Sequence, residues 1–119
     1  MQLGRLDFCL RVASVEVSRT FYEKLGFHRV EGKDAEGWAV MVHGHSRLGL
    51  FEAKYMSNSL SLNFRGGHIE EIVQELSDNG IELLEAPVFK EKGAGSASLC
   101  DPDGNLIFLD SSTEERSNS

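Results

Sequence analysis

Residues 59–80 read SLSLNFRGGHIEEIVQELSDNG, and the fold turns on how this stretch is read. Its first part alternates, with Leu60, Leu62 and Phe64 on one side and Ser59, Ser61 and Asn63 on the other, which is the period of a half-buried strand. After Gly66 and Gly67 the period changes. Ile69, Ile72, Val73 and Leu76 fall at i, i+3, i+4 and i+7, the spacing of one apolar helical face. Asp78, Asn79 and Gly80 close the helix. The stretch is therefore a strand followed by a helix. An earlier stretch, RLDFCLRVASVEVSRTFYEKLG at residues 5–26, has the same layout. Leu6, Phe8, Leu10 and Val12 alternate with Asp7, Cys9 and Arg11, Ser14 suits a helix N-cap, Val17, Phe21 and Leu25 share a helical face, and Gly26 ends it. The two helix-ending glycines lie 80 − 26 = 54 residues apart. At that offset Asp7 overlays Ser61, Cys9 overlays Asn63 and Arg11 overlays Arg65.

The rest of each half also matches. FHRVEGKDAEG, WAVMVHG and RLGLFEA read as three strands in the first half, and IELLEAPVF, SASLC and NLIFLD as three in the second, with Pro87 marking an edge or a bulge. The spacing predicts a duplication of one βαβββ unit. The domain is expected over residues 1–112, with unit one at 5–54, unit two at 58–112, and a disordered tail over 113–119, whose composition holds no apolar residue.

Composition narrows the function. The chain has 119 residues, 40% hydrophobic and 26% charged, a length suited to one domain. A net charge of −7 with no basic run excludes a phosphate-backbone binder, so no nucleic acid is expected as a partner. No stretch approaches the roughly 18 apolar residues of a membrane span, and the N-terminus has no apolar leader core, so no membrane partner is expected. Two cysteines outside any CxxC point to a reduced, cytoplasmic protein.

One helix can cover one face of each unit's strands, and Phe8, Leu10, Leu62 and Phe64 are expected beneath the helices. The opposite face then carries Asp7, Cys9 and Arg11, and Ser59, Ser61 and Asn63. In the last strand of each unit both faces are apolar. Matching RLGLFE with NLIFLD at an offset of 105 − 47 = 58 pairs Leu48, Leu50 and Glu52 with Leu106, Phe108 and Asp110. Because Glu52 and Asp110 are poorly tolerated in a helix-packed core, this set is expected on the open face.

With FYEKLGF after a strand, DPDGN before the last strand, and paired βαβββ units, residues 5 to 112 resemble the vicinal oxygen chelate superfamily, which includes glyoxalase I, extradiol dioxygenases and bleomycin-resistance proteins. The resemblance implies an α+β fold: two tandem βαβββ units forming a curved, incomplete barrel-like mixed sheet, with one helix per unit on the outside. It also implies a homodimer. Enzymes of that superfamily hold a divalent metal with His, Gln or Glu from the first and last strands of each unit. Their motif carries those positions onto Asp7, Leu50, Ser61 and Phe108, the last being the residue where DPDGN, two residues, then Glu is usual. Leu50 and Phe108 offer no lone pair, and a catalytic zinc takes at least three protein ligands, so no metal and no cofactor are expected.

The ligand-binding candidates are therefore Asp7, Cys9, Arg11, Leu50, Glu52, Ser61, Asn63, Phe108 and Asp110. Arg11 can grip a carboxylate or phosphate, or pair internally with Asp7 or Asp110. Cys9 is expected as inert packing and Glu52 as a strand-end charge. Trp38 and Phe51 are expected in the core. His43 and His45 are expected at a hairpin tip, and His68 as a capping or solvated residue. The expected function is metal-free binding of a small organic molecule. The alternatives are a metal-dependent lyase, isomerase or dioxygenase of the glyoxalase I type, and a protein-interaction module.

Overall fold

The computed structural model describes residues 1–117. The chain divides into two compact units: Asp7–Ser61, and Met1–Leu6 together with Leu62–Ser119. The first six residues thus group with the second half of the sequence. The fold is α+β, and each unit contains an open four-stranded sheet with helix packed on one face.

In the Asp7–Ser61 unit the strands are β1 (Gly4–Arg11, its first three residues belonging to the other unit), β2 (His28–Lys33), β3 (Trp38–His43) and β4 (Ser46–Phe51). They lie in the order β2-β3-β4-β1. β3 is antiparallel to β2 and β4, and β1 runs parallel to β4 with Phe8 opposite Leu48, Cys9 opposite Gly49, Leu10 opposite Leu50 and Arg11 opposite Phe51. Helix α1 (Val15–Lys24) follows β1. Ser14 accepts the Val17 amide hydrogen at 3.3 Å, and Gly26, at φ 102°, ends the segment in a conformation glycine adopts without strain. The core joins Val15 to Ala39, Met41 and Leu50, all fully buried, with Leu10, Val12, Tyr22, Phe27 and Leu48 around them.

Val17, Phe21 and Leu25 share one helical face, as the spacing predicts, but that face is turned away from the core: they are 68, 57 and 56% exposed. Polar contacts fix the rotation of α1 instead. Arg19 makes a two-pronged bond to Asp34, at 2.9 Å from Nε and 2.7 Å from Nη2, and a third to Glu23 at 2.7 Å. This holds Arg19 and its neighbours Val15 and Tyr22 on the inner side, and turns the 17–21–25 stripe outward.

The other unit contains β5 (Leu60–Gly66, its first two residues in the first unit), α2 (Ile69–Asp78), β6 (Val88–Phe89), β7 (Gly95–Cys100) and β8 (Leu106–Ser111), with strand order β5-β8-β7-β6. The α2 spacing behaves as its sequence predicts. Ile69, Ile72 and Leu76 pack on Ala97, Leu99 and Leu109, and Leu3, Phe64, Val73, Leu83 and Ile107 close the cluster. Each large aliphatic residue buried in this way contributes roughly 2 kcal/mol. The expected strand over IELLEAPVF shrinks to Val88–Phe89, at the edge beyond β7, where Pro87 interrupts no ladder.

The segment expected as a disordered tail is helical from Thr113 to Ser117 (α3). Ser112 and Glu115 form a reciprocal cap: the Ser112 hydroxyl accepts the Glu115 amide hydrogen and the Glu115 carboxylate accepts that of Ser112, both at 2.9 Å. Arg116 then donates to the carbonyl of Gly66 at 2.9 Å. Residues 118 and 119 of the expected tail lie outside the described residues.

Candidate functional site

In each unit the sheet face turned away from the helix carries most of the candidate residues. In the first unit it holds Asp7, Cys9 and Arg11 of β1 beside Arg47, Gly49 and Phe51 of β4. Asp7 is 2% exposed and accepts a 2.8 Å bond from Arg47 Nε. Cys9 is buried. A Cβ built on Gly49 would lie 3.1 Å from its sulfur and 2.6 Å from the Phe51 ring, so the bare glycine is what lets that ring lie flat on the sheet. Phe51 stacks on Trp38 at 6.0 Å between centroids and an interplanar angle of 3°. These two rings, expected in the helix-packed core, sit on the open face. Arg11 donates to the Ser57 carbonyl at 2.6 Å, so it fastens a loop, and Asp7 is paired by Arg47 of β4 rather than by Arg11. Ser61 is buried.

Two candidates are corrected here. Leu50 is fully buried in the cluster under α1 and does not face the open side. Glu52 is on the same side, where its carboxylate accepts the Val15 amide hydrogen at 3.0 Å and so satisfies the first orphan donor of α1. The negative charge that seemed out of place beside a helix is there because the helix N-terminus needs it. Glu52→Ala is expected to lower the stability of the protein by about 1 kcal/mol in urea unfolding. An unchanged midpoint would return Glu52 to the list of ligand candidates.

In the second unit the open face holds Asn63 and Arg65 of β5, Phe108 and Asp110 of β8, and Ser98 and Ser96 of β7, which lie opposite Phe108 and Asp110. Phe64, Ile107 and Leu109 take the alternate positions and pack under α2. Phe108 and Asp110 line a hollow of about 420 Å³, with Arg65, Val88, Lys90, Ser96, Ser112 and Glu115 among its other walls. Arg65 is held between two carboxylates: Asp110 at 3.6 Å and Glu115 at 3.8 Å. Burial pushes the Glu115 carboxyl up, but the Ser112 amide and hydroxyl and the charges of Arg65 and Arg5 outweigh this and hold it below the usual range. The Oδ1 of Asn63 is buried with no hydrogen-bond partner among the described residues. Arg47 and Arg65 went unnoticed in the sequence because their roles depend on which residues lie across the strands from them.

His43 and His45 are exposed about the Gly44–His45 turn, and His68 caps α2, its Nδ1 accepting the Glu71 amide hydrogen at 3.3 Å. Among the described residues no three His, Cys, Asp or Glu side chains form a group able to hold a metal. The positions that the family resemblance assigns to a metal do not fit one. Leu50 is turned into the core, Phe108 is a hydrocarbon ring, and the Asp7 carboxylate is engaged by Arg47. No helix among the described residues is long and apolar enough to cross a membrane.

Three solved structures share the fold. The crystal structure of the NAD-dependent benzaldehyde dehydrogenase from Legionella pneumophila is 20% identical with a TM-score of 0.72, over 89% of this chain and 97% of that one. A glyoxalase/bleomycin resistance protein/dioxygenase superfamily member from Vibrio splendidus 12B01 is 19% identical with a TM-score of 0.65, over 91% and 98%. The hypothetical protein BH1468 from Bacillus halodurans C-125 is 22% identical with a TM-score of 0.63, over 93% and 94%. Likeness at this identity concerns the fold and carries no activity with it. No curated protein sequence matches the chain. The family model of the Glyoxalase/Bleomycin resistance protein/Dioxygenase superfamily matches residues 4–109, and the chain belongs to that superfamily.

Proposed function

We propose that this protein binds a small organic molecule without a metal, in the hollow beside Phe108. The supporting observation is that hollow itself: about 420 Å³, within the size range of small-molecule sites, with a phenyl wall at the position where the superfamily's enzymes usually carry a glutamate. An apolar wall with a few polar groups around it is the usual composition of such a site, and here Phe108 and Val88 face Arg65, Asp110 and Ser96.

Thermal unfolding with a panel of aromatic fragments, benzyl alcohol among them, tests this reading. A saturable rise in Tm is expected, reflecting about 2.7 kcal/mol at a hundredfold excess over Kd. Phe108→Ala is expected to weaken binding about tenfold through the lost ring contact. If the purified protein instead carries one equivalent of divalent metal, and chelation lowers its Tm, the metal-free reading is overturned.

A further inference from the structure

We propose that the hollow beside Phe108 is a site for an organic carboxylate, and that in this conformation its anion position is filled by Glu115 of the chain's own C-terminal helix. The inference rests on the small-molecule reading of that hollow and adds the ligand's charge and the group it must displace.

Glu115 lines the hollow and lies 3.8 Å from the Arg65 guanidinium. Lys90, exposed at the rim, lines the same hollow. Asp110, on the other side of Arg65 at 3.6 Å, is part of the sheet, whereas Glu115 comes from a five-residue helix at the end of the described chain. Four charged groups, Arg65, Lys90, Asp110 and Glu115, thus line the hollow, two of each sign. Withdrawing Glu115 leaves two cations facing one carboxylate, next to a phenyl wall. That arrangement recognises a planar apolar body bearing a carboxylate. α3 is fastened by its cap on Ser112 and by the Arg116 bonds to the carbonyls of Gly66 and Lys92. A five-residue helix at the end of the described chain belongs to the low-stability end of a fold and can yield to a competitor.

Glu115→Gln isolates the charge. Glutamine keeps the reciprocal cap with Ser112, so α3 remains formed, but it no longer neutralises Arg65. Benzoate and benzyl alcohol are titrated into the wild-type protein and the variant, with affinity read by calorimetry. Benzoate is expected to bind the variant at least about tenfold more tightly than the wild type, the effect of one charge about 4 Å away near a protein surface, while benzyl alcohol binds both alike. Adding Arg65→Gln to the variant is expected to abolish the gain. Equal benzoate affinity in wild type and Glu115→Gln, with benzyl alcohol still bound, overturns this proposal and leaves the small-molecule reading standing. If neither probe binds either protein, both readings fall together. A gain that survives Arg65→Gln also overturns it, since the arginine then has no part in anion recognition.

Discussion

Leu50→Glu is expected to unfold the protein, while Phe108→Glu is expected to leave it folded. Both substitutions place a carboxylate at a position that the superfamily's motif assigns to a metal ligand, and their fates differ because of the side of the sheet each residue faces. Leu50 is fully buried with Val15, Ala39 and Met41 under α1. Truncation to alanine alone is expected to cost about 3 kcal/mol for the lost contacts and the cavity. A glutamate there is set among apolar side chains, and a buried charge in such surroundings raises the cost to on the order of 5 kcal/mol, which consumes the stability of an ordinary domain. Phe108 borders the hollow, so a glutamate can keep part of its hydration, and a loss within about 2 kcal/mol is expected. Urea unfolding followed by far-UV circular dichroism distinguishes the two. A folded Leu50→Glu with a wild-type midpoint would mean that β4 is turned the other way.

The Leu50 position shows why part of the site was legible in the sequence and part was not. Both expected helices and the repeat follow from periodicity, and the outward face of β8 from the charge of Asp110; the structure has them. On β4 the face was inferred by matching RLGLFE to NLIFLD at an offset of 58. The preceding strands do match at 58, since buried Ala39 and Met41 correspond to buried Ala97 and Leu99 (97 − 39 and 99 − 41). The last strands match at 59, since buried Leu50 corresponds to buried Leu109 (109 − 50). The difference arises in the hairpins. Met41 pairs with Leu48, seven residues on, whereas Leu99 pairs with Ile107, eight residues on. The second turn thus holds one more residue, and one residue of register exchanges the two faces of a strand. Glu52 strengthened the error, because a carboxylate beside a helix reads as misplaced until it is seen accepting the Val15 amide hydrogen. The Ser112–Glu115 cap was visible as an S-x-x-E pattern, but the polar composition around it spoke louder.

The second large effect concerns Asp7, which sequence motifs make a candidate ligand and which the fold uses as half of a buried pair. Its side chain is 3% exposed, and the Arg47 side chain reaching it from β4 is 17% exposed. Two charges removed from water are tolerated here because each meets the other at 2.8 Å. Arg47→Met keeps the length of the side chain and removes its charge, leaving a carboxylate with its desolvation cost and without the guanidinium 2.8 Å from it. A loss of about 3 kcal/mol is expected. Replacing both residues, Asp7→Leu with Arg47→Met, removes the charge along with its partner and is expected to recover most of that loss, since well-packed apolar residues often replace a buried pair at little cost. The coupling between the two sites, read from urea unfolding of the two single variants and the double variant, should then reach about 2 kcal/mol. Additive losses would show that Arg47 is not what makes the buried carboxylate tolerable. The same double variant separates structure from function. If Asp7 serves the fold alone, the double variant binds aromatic fragments as the wild type does, and a folded double variant that has lost that binding would return Asp7 to the ligand site.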